Sequence, residues 1–369
     1  MKIGRREFLT GAAAVAALPQ FSCSRRVAGP TRLSMPGLYP GRVVSVRHPG
    51  SFVRESFQAG PIQAMIRKGM TELTGAPDPT AAWRQFFEPG DVVGIKLNPV
   101  GQPDVISSAE VVQEIIAGLN SAGVKNKDIV AYDRYRKQFL RAGFDKWLPE
   151  GVRWSHAAED YERVQLAMDG YDANHYMEMT LVQPGQDVRD QHMRRSHVAR
   201  FLTQQVNKLI NVPLLKHHQS AGVTLALKNL SHGLVNNVNR SHSTTTLNAC
   251  GSFIPAVVSI PVIRDKAVLH IMDGILGMYH GGPGGKKGKY VWIHHTMYFS
   301  TDPVAVDKIG WAAIDAARVG RGMATVALSK PDADSTFLNC QPEHIEIAGA
   351  LGLGVWDEKK IERKAIELT

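Results

Sequence analysis

The segment from Asn211 to Gly233 holds the densest group of side chains able to do chemistry in this chain: Lys216, His217, His218, Thr224, Lys228, Asn229 and His232 lie there between apolar residues. Thr224 and Lys228 are four apart, as are Lys228 and His232, while Asn229 and His232 are three apart. On a helix such residues share a face. An ammonium, an amide, a hydroxyl and imidazoles facing one cleft suit an anion such as a carboxylate or phosphate. Solvation or helix capping explains any one of them alone, but polar groups concentrated between apolar elements are harder to explain as packing. The expected substrate-binding set is Lys96, Asn98, Lys216, Thr224, Lys228 and Asn229. His217 or His218 is expected as ligand or proton carrier. Asp273, at the carboxyl end of an apolar run, is expected as base or ligand, with a local turn role as the alternative.

The chain has 14 histidines. An imidazole-based metal site needs about three ligands at roughly 2 Å, and no H-E-x-x-H signature is present. Neighbours on an extended segment point to opposite faces, so His217 and His218 cannot easily share one ion. A divalent metal is therefore expected on one of that pair with His232 and His242, and Asp273 or His280 as a fourth ligand. Ordinary polar histidines around a cleft are the alternative. Cys250 and Cys340 are too few for an Fe–S cluster, which usually takes four ligands, and no C-x-x-C-H marks c-type haem; neither cofactor is expected. An oxidising compartment would permit a disulfide between these two cysteines. The stretch His280 to Lys289 fails as a phosphate loop, because Pro283 stands where Gly is needed and Tyr290 where Ser or Thr is needed. It reads as a basic lid or a surface loop.

The elements that must position these residues follow α/β grammar. Asp91 to Leu97 is a short apolar run bounded by Pro and Gly, hence a buried strand. Ser107-x-x-Glu110 has the form of a capping box, and Val111, Val112, Ile115, Ile116 and Leu119 continue at helical spacing. Asp128 to Tyr132 is the next strand, and strand–helix–strand favours a parallel sheet. Val206 to Val212 and Ala267 to Met272 are further strands. Asp302-Pro303 pairs an N-cap with a Pro at the first helical position, so Asp302 reads as a cap rather than a catalyst, and Asp307 as turned inward toward a lysine. The predicted fold is α/β, a mostly parallel sheet flanked by helices, with a small inserted subdomain over residues 150–200. The full division is a leader (1–29), an irregular lead-in with one strand (30–80), the α/β core (81–355) and a tail (356–369).

At these landmarks the chain resembles a family. Lys96-Leu97-Asn98-Pro99, Lys216-His217-His218, Thr224-Leu225-Ala226-Leu227-Lys228-Asn229, Asp273-Gly274, Gly282-Pro283 and Thr301-Asp302-Pro303-Val304-Ala305-Val306-Asp307 fall in order. They are similar to the domain of unknown function 362 family over roughly residues 90–355, with Gly352-Leu353-Gly354 near the end. Some members carry a ferredoxin-like Fe–S module; this chain lacks the cysteines for it, so electron transfer does not carry over. The resemblance implies positions and no reaction. A looser similarity to nickel-pincer lactate racemases, in His218, Ala221-Gly222 and then Lys228 without the Gly-Gly before the lysine, is analogy alone.

Gly4-Arg5-Arg6-Glu7-Phe8-Leu9 reads as a twin-arginine export signal. It makes the twin-arginine translocase an expected partner and the periplasm or exterior the expected location. The apolar run Leu9 to Leu18 is short of the roughly 20 residues that span a membrane, so no transmembrane segment is expected. Gln20-Phe21-Ser22-Cys23 departs from a lipobox, which argues against lipid attachment at Cys23. The net charge of +9 is spread without a dense Lys/Arg tract, pointing to a small anionic molecule and not to nucleic acid. The leading expectation is an exported enzyme with an anion-binding cleft, metal-assisted, with redox and isomerase chemistry both open. The alternatives are a non-catalytic anion- or metal-binding protein and an assembly factor.

Overall fold

The computed structural model describes residues 31–284, 288–338 and 340–369. The twin-arginine leader, Cys23 and part of the expected basic lid lie outside these residues. The strands are β1 (Arg42–Arg47), β2 (Phe52–Val53), β3 (Ser56–Phe57), β4 (Val93–Lys96), β5 (Ile129–Tyr132), β6 (Arg153–Ser155), β7 (Tyr171–Glu178), β8 (Arg195–Ala199), β9 (Lys208–Asn211), β10 (Leu214–His218), β11 (Gly222–Thr224), β12 (Ala267–Met278), β13 (Val291–Ser300) and β14 (Glu362–Glu367). The helices are α1 (Ala59–Thr74), α2 (Pro79–Trp83), α3 (Ala109–Ser121), α4 (Arg136–Arg141), α5 (Phe144–Trp147), α6 (Gln191–Arg194), α7 (Ala226–Leu234), α8 (Cys250–Val258), α9 (Pro261–Lys266), α10 (Pro303–Val319) and α11 (Glu343–Ala350). Among the described residues no helix is long and apolar enough to cross a membrane.

The central sheet has ten strands, ordered β14-β1-β13-β12-β9-β4-β5-β6, with β10 beside the second half of β12 and β11 hairpinned onto β10. β12, β9, β4, β5 and β6 run parallel. β13 is antiparallel to both β12 and β1. The architecture is thus α/β with a mostly parallel sheet. Its inner strands read as unbroken apolar runs because both faces are covered. Ile129 and Ala131 enter one core, shared with Ile62 and Ile66 of α1 and Ile115 of α3. Val130 and Tyr132 enter the other, shared with Leu230 of α7, Phe253 of α8 and Ile309 of α10. Within residues 150–200, β7 pairs with β8 in a separate two-stranded sheet.

The lead-in departs from its expected irregular form. Besides β1 it folds into the 16-residue α1, whose Ile62, Met65, Ile66, Met70 and Leu73 form the buried stripe. The tail supplies β14, parallel to β1.

Two helix starts are secured from a distance. The capping box expected at α3 does not form. Ser107 Oγ instead accepts the Asn98 N–H at 2.9 Å, and the actual N-cap, Ser108, donates its hydroxyl to Asp273 at 3.0 Å. Among the described residues Asp307 pairs with no lysine, contrary to expectation. Its carboxylate accepts the N–H groups of Ala226 (2.6 Å) and Leu227 (2.9 Å), at the start of α7. Charge at a helix N-terminus meets unpaired N–H groups and the positive end of the dipole, so α10 sets the angle at which α7 presents its polar face.

Close packing of α3 gives one direct test. A Cβ built on Gly118 would stand 2.1 Å from the Trp83 ring. Gly118→Ala should therefore lower stability by about 1–3 kcal/mol through overpacking, although alanine is the better helix former. A urea midpoint equal to or above that of the parent would contradict this packing.

Candidate functional site

Ligand clefts in open α/β sheets form beyond the carboxyl ends of the strands. Here Lys96 ends β4, Asp133 and Arg134 follow β5, and β10 and α7 close the opposite side. A cavity of about 200 Å³ opens among them. The whole expected substrate-binding set lines it: Lys96, Asn98, Lys216, Thr224, Lys228 and Asn229. So do His218, His232 and His242.

A chain of amides holds the floor. Lys216 Nζ donates to Asn98 Oδ1 (3.0 Å), Asn98 Nδ2 to Asn229 Oδ1 (3.0 Å), Asn229 Nδ2 to Asn211 Oδ1 (2.8 Å), and Asn211 Nδ2 to the Ala226 carbonyl (3.1 Å). Lys96 is committed to Asp133 at 2.7 Å. Lys228 is buried and makes no side-chain hydrogen bond among the described residues. Burial pulls Lys228 down to about 8. It drives Lys216 well below the usual lysine range, with the Lys228 and Lys96 charges adding to the effect. Several polar atoms of the lining are buried without a partner: Thr224 Oγ1, Arg134 Nε, the Tyr135 hydroxyl, Gln138 Oε1 and Gln165 Nε2. Orphaned polar atoms are rare in folded interiors, and here they share one cavity.

His217 and His218 sit on β10, so successive side chains part to opposite faces. His218 turns into the cavity. Its Nδ1 accepts the N–H groups of Ser220 (3.2 Å) and Ala221 (3.3 Å), which assigns the proton of the neutral ring to Nε2. Burial keeps that ring neutral, helped by the charge of Lys228. His217 turns away, with its ring centroid 5.2 Å from that of His280. Both of its nitrogens are buried without a partner. His280 is itself engaged, by Asp332 at 2.9 Å and Arg318 at 3.0 Å. Neither residue lines the cavity.

Asp273 is also absent from the lining. Its carboxylate accepts from Ser108 Oγ and from the Ile275 N–H at 3.1 Å, an anchor for α3. Burial raises it to about 6. Of the expected metal set, the structure brings together His232 and His242 and leaves His280 and Asp273 elsewhere.

A third group joins those two histidines. Ligand-type atoms of His232, His242 and Cys250 lie within 4.8 Å of one another. Both rings are held neutral by burial, His242 down to about 3. Cys250 and Cys340 are free and buried, and Cys340 Sγ contacts Ser329 Oγ at 3.1 Å, so no disulfide joins them here.

Sequence inspection missed the opposite wall: Asp133, Arg134, Tyr135 and Gln138, with Tyr161 and Gln165 from the inserted segment. Asp133 and Arg134 had a signal, since they follow a predicted strand as directly as Asp273 does. Tyr161 and Gln165 had none. Pro283 brings the described edge of the expected lid to the cavity.

A family model described as "Domain of unknown function (DUF362)" matches residues 93–312. No curated protein matches the chain. Among solved structures, a crystal structure of a Thermotoga maritima protein from a structural genomics programme is similar at 13% identity and a TM-score of 0.38, over 74% of this chain. The chain spans 61% of that protein's length.

Proposed function

We propose that this chain, which belongs to the domain of unknown function (DUF362) family, is an exported enzyme that binds a small anion in the lysine-lined cavity. One observation carries the reading: Lys96, Lys216, Lys228 and Arg134 surround a cavity where, among the described residues, Asp133 is the one lining carboxylate. Lys96 is paired with Asp133 and Lys216 with Asn98, whereas Lys228 is a buried cation with no partner among the described residues. Such a cation is costly, and an anionic ligand supplies what the protein withholds from it. A carboxylate or phosphate would take its charge-assisted bonds from Lys216 and Lys228, with the His218 Nε2–H as a neutral donor. An amine drawn down to about 8 also suits proton transfer near neutral pH. This favours acid–base chemistry on a small acid over simple capture. A divalent metal on His232 and His242 belongs to the same reading. Passage through the twin-arginine translocase, suggested by Arg5-Arg6, would deliver the folded domain to the periplasm or beyond.

The test is calorimetric titration of the full chain with small mono- and dicarboxylates and with inorganic phosphate. Saturable binding is expected, weakening as salt rises. Lys216→Met should weaken it about 10- to 100-fold, the range for one hydrogen bond to a charged group. Silence toward every anion would sink the reading. Exchange of solvent deuterium into a bound acid marks an enzyme; binding without turnover supports the capture protein instead.

A further inference from the structure

We infer that His232, His242 and Cys250 form a binding site for a thiophilic d10 cation, zinc or copper(I), in the wall of the anion cavity. The three residues come from separate places: the last turn of α7, the turn that follows, and the first residue of α8. Their spacing matches no compact metal signature, so only the tertiary fold brings them together. The ligand-type atoms lie within 4.8 Å of one another. The Ser241 hydroxyl marks the point on which they converge. It lies 3.1 Å from His232 Nε2, 2.7 Å from His242 Nδ1 and 3.8 Å from Cys250 Sγ.

That oxygen is fully used without the cysteine. It donates to the Val238 carbonyl at 2.7 Å, leaving two lone pairs for the two imidazoles. Cys250 Sγ is left with contacts at 3.8 Å to Ser220 Oγ, the Ser241 carbonyl and Ser241 Oγ. A cation at the centre, with the Ser241 side chain rotated aside, would take a lone pair from each nitrogen and from the sulfur. The thiol would release its proton to solvent. One thiolate with two imidazoles selects soft or borderline ions and not magnesium or calcium, which prefer oxygen. The outer support is present too: Ser231 Oγ lies 3.0 Å from His232 Nδ1 and orients that ring with Nε2 toward the centre.

Two imidazoles of this set line the cavity, so an open coordination position would face the bound anion. Only that placement rests on the proposed anion site; metal binding itself does not.

The experiment loads full-length, metal-free protein with zinc chloride and, under reductant and without oxygen, with a copper(I)–acetonitrile complex. One ion per chain is expected for at least one of them. Cys250→Ser should weaken it at least 10-fold and Cys340→Ser should not. The cobalt(II)-loaded protein should show a thiolate charge-transfer band that Cys250→Ser abolishes. His242→Ala, at a half-buried position, repeats the test with less risk to folding, and far-UV circular dichroism checks both variants. Lys228→Met should keep the metal while losing the anion, which separates failure of this site from failure of the anion reading. No stoichiometric binding of either ion, or undiminished binding by Cys250→Ser, overturns the assignment.

Discussion

Lys228→Met is expected to raise the stability of the metal-free protein at pH 7 while abolishing anion binding. Lys228 is buried without a counter-ion or hydrogen bond among the described residues. Its fall from 10.5 to about 8 measures the strain of keeping it charged, on the order of 3 kcal/mol at neutral pH. Methionine has similar length, keeps the packing and removes the charge. The pH dependence follows in sign. Between about 8 and 10.5 the unfolded chain holds the Lys228 proton and the folded chain has released it. The unfolded state then binds more protons, so parental stability climbs with pH across that window. The variant should lack this climb. Anion affinity should move oppositely, full below about 8 and falling above it, because the bound anion favours the ammonium. Urea unfolding at several pH values, with anion titration alongside, reads all of this. A variant less stable than its parent at pH 7 that still binds the anion would show Lys228 to be an ordinary packed residue.

Asp302→Ala should produce the largest loss of stability. One carboxylate holds four backbone N–H groups: Oδ1 accepts from Val304 and Ala305, both at 2.9 Å, and Oδ2 from Gly41 at 2.9 Å and Val355 at 2.8 Å. It caps α10 and fastens the segments leading to β1 and β14 onto it. A buried donor left unpaired costs about 1–3 kcal/mol, and alanine orphans four at once. Even with local relaxation the loss should be about 4 kcal/mol or more, a large share of the roughly 5–15 kcal/mol that holds most domains folded. Asp302→Asn keeps one acceptor oxygen and should fall between the two. Denaturant unfolding gives the magnitude, and limited proteolysis should show earlier cleavage near Gly41 and Val355. A change within about 0.5 kcal/mol, typical of neutral surface positions, would contradict the capping role.

The strands of the core were legible because each is a short apolar run closed by turn residues, as in Val93–Lys96 and Ile129–Tyr132. The start of α10 was legible for a local reason as well: Asp302-Pro303 caps and opens a helix within three residues. Helix α1 escaped notice because its apolar stripe lies in a stretch broken by Pro and Gly. At α3 a local pattern misled, since the Asn98 N–H occupies the Ser107 hydroxyl and the helix is capped at Ser108 instead.

The site divides along the same line. Residue type was enough to group Lys216, His218, Thr224, Lys228 and Asn229, because all lie on one strand–hairpin–helix unit. Helical spacing holds for Lys228 and His232 on α7, but not for Thr224, which lies on β11 and not on the helix expected for it. Alternation along the strand separates His217 from His218. Which distant residues meet them was decided only by the tertiary structure. The order of parallel strands sets Asp133 and Arg134 beside Lys96, and the turn between α7 and α8 carries His242 and Cys250 to His232. Those contacts depend on how layers pack, a property of the whole chain that local periodicity does not encode.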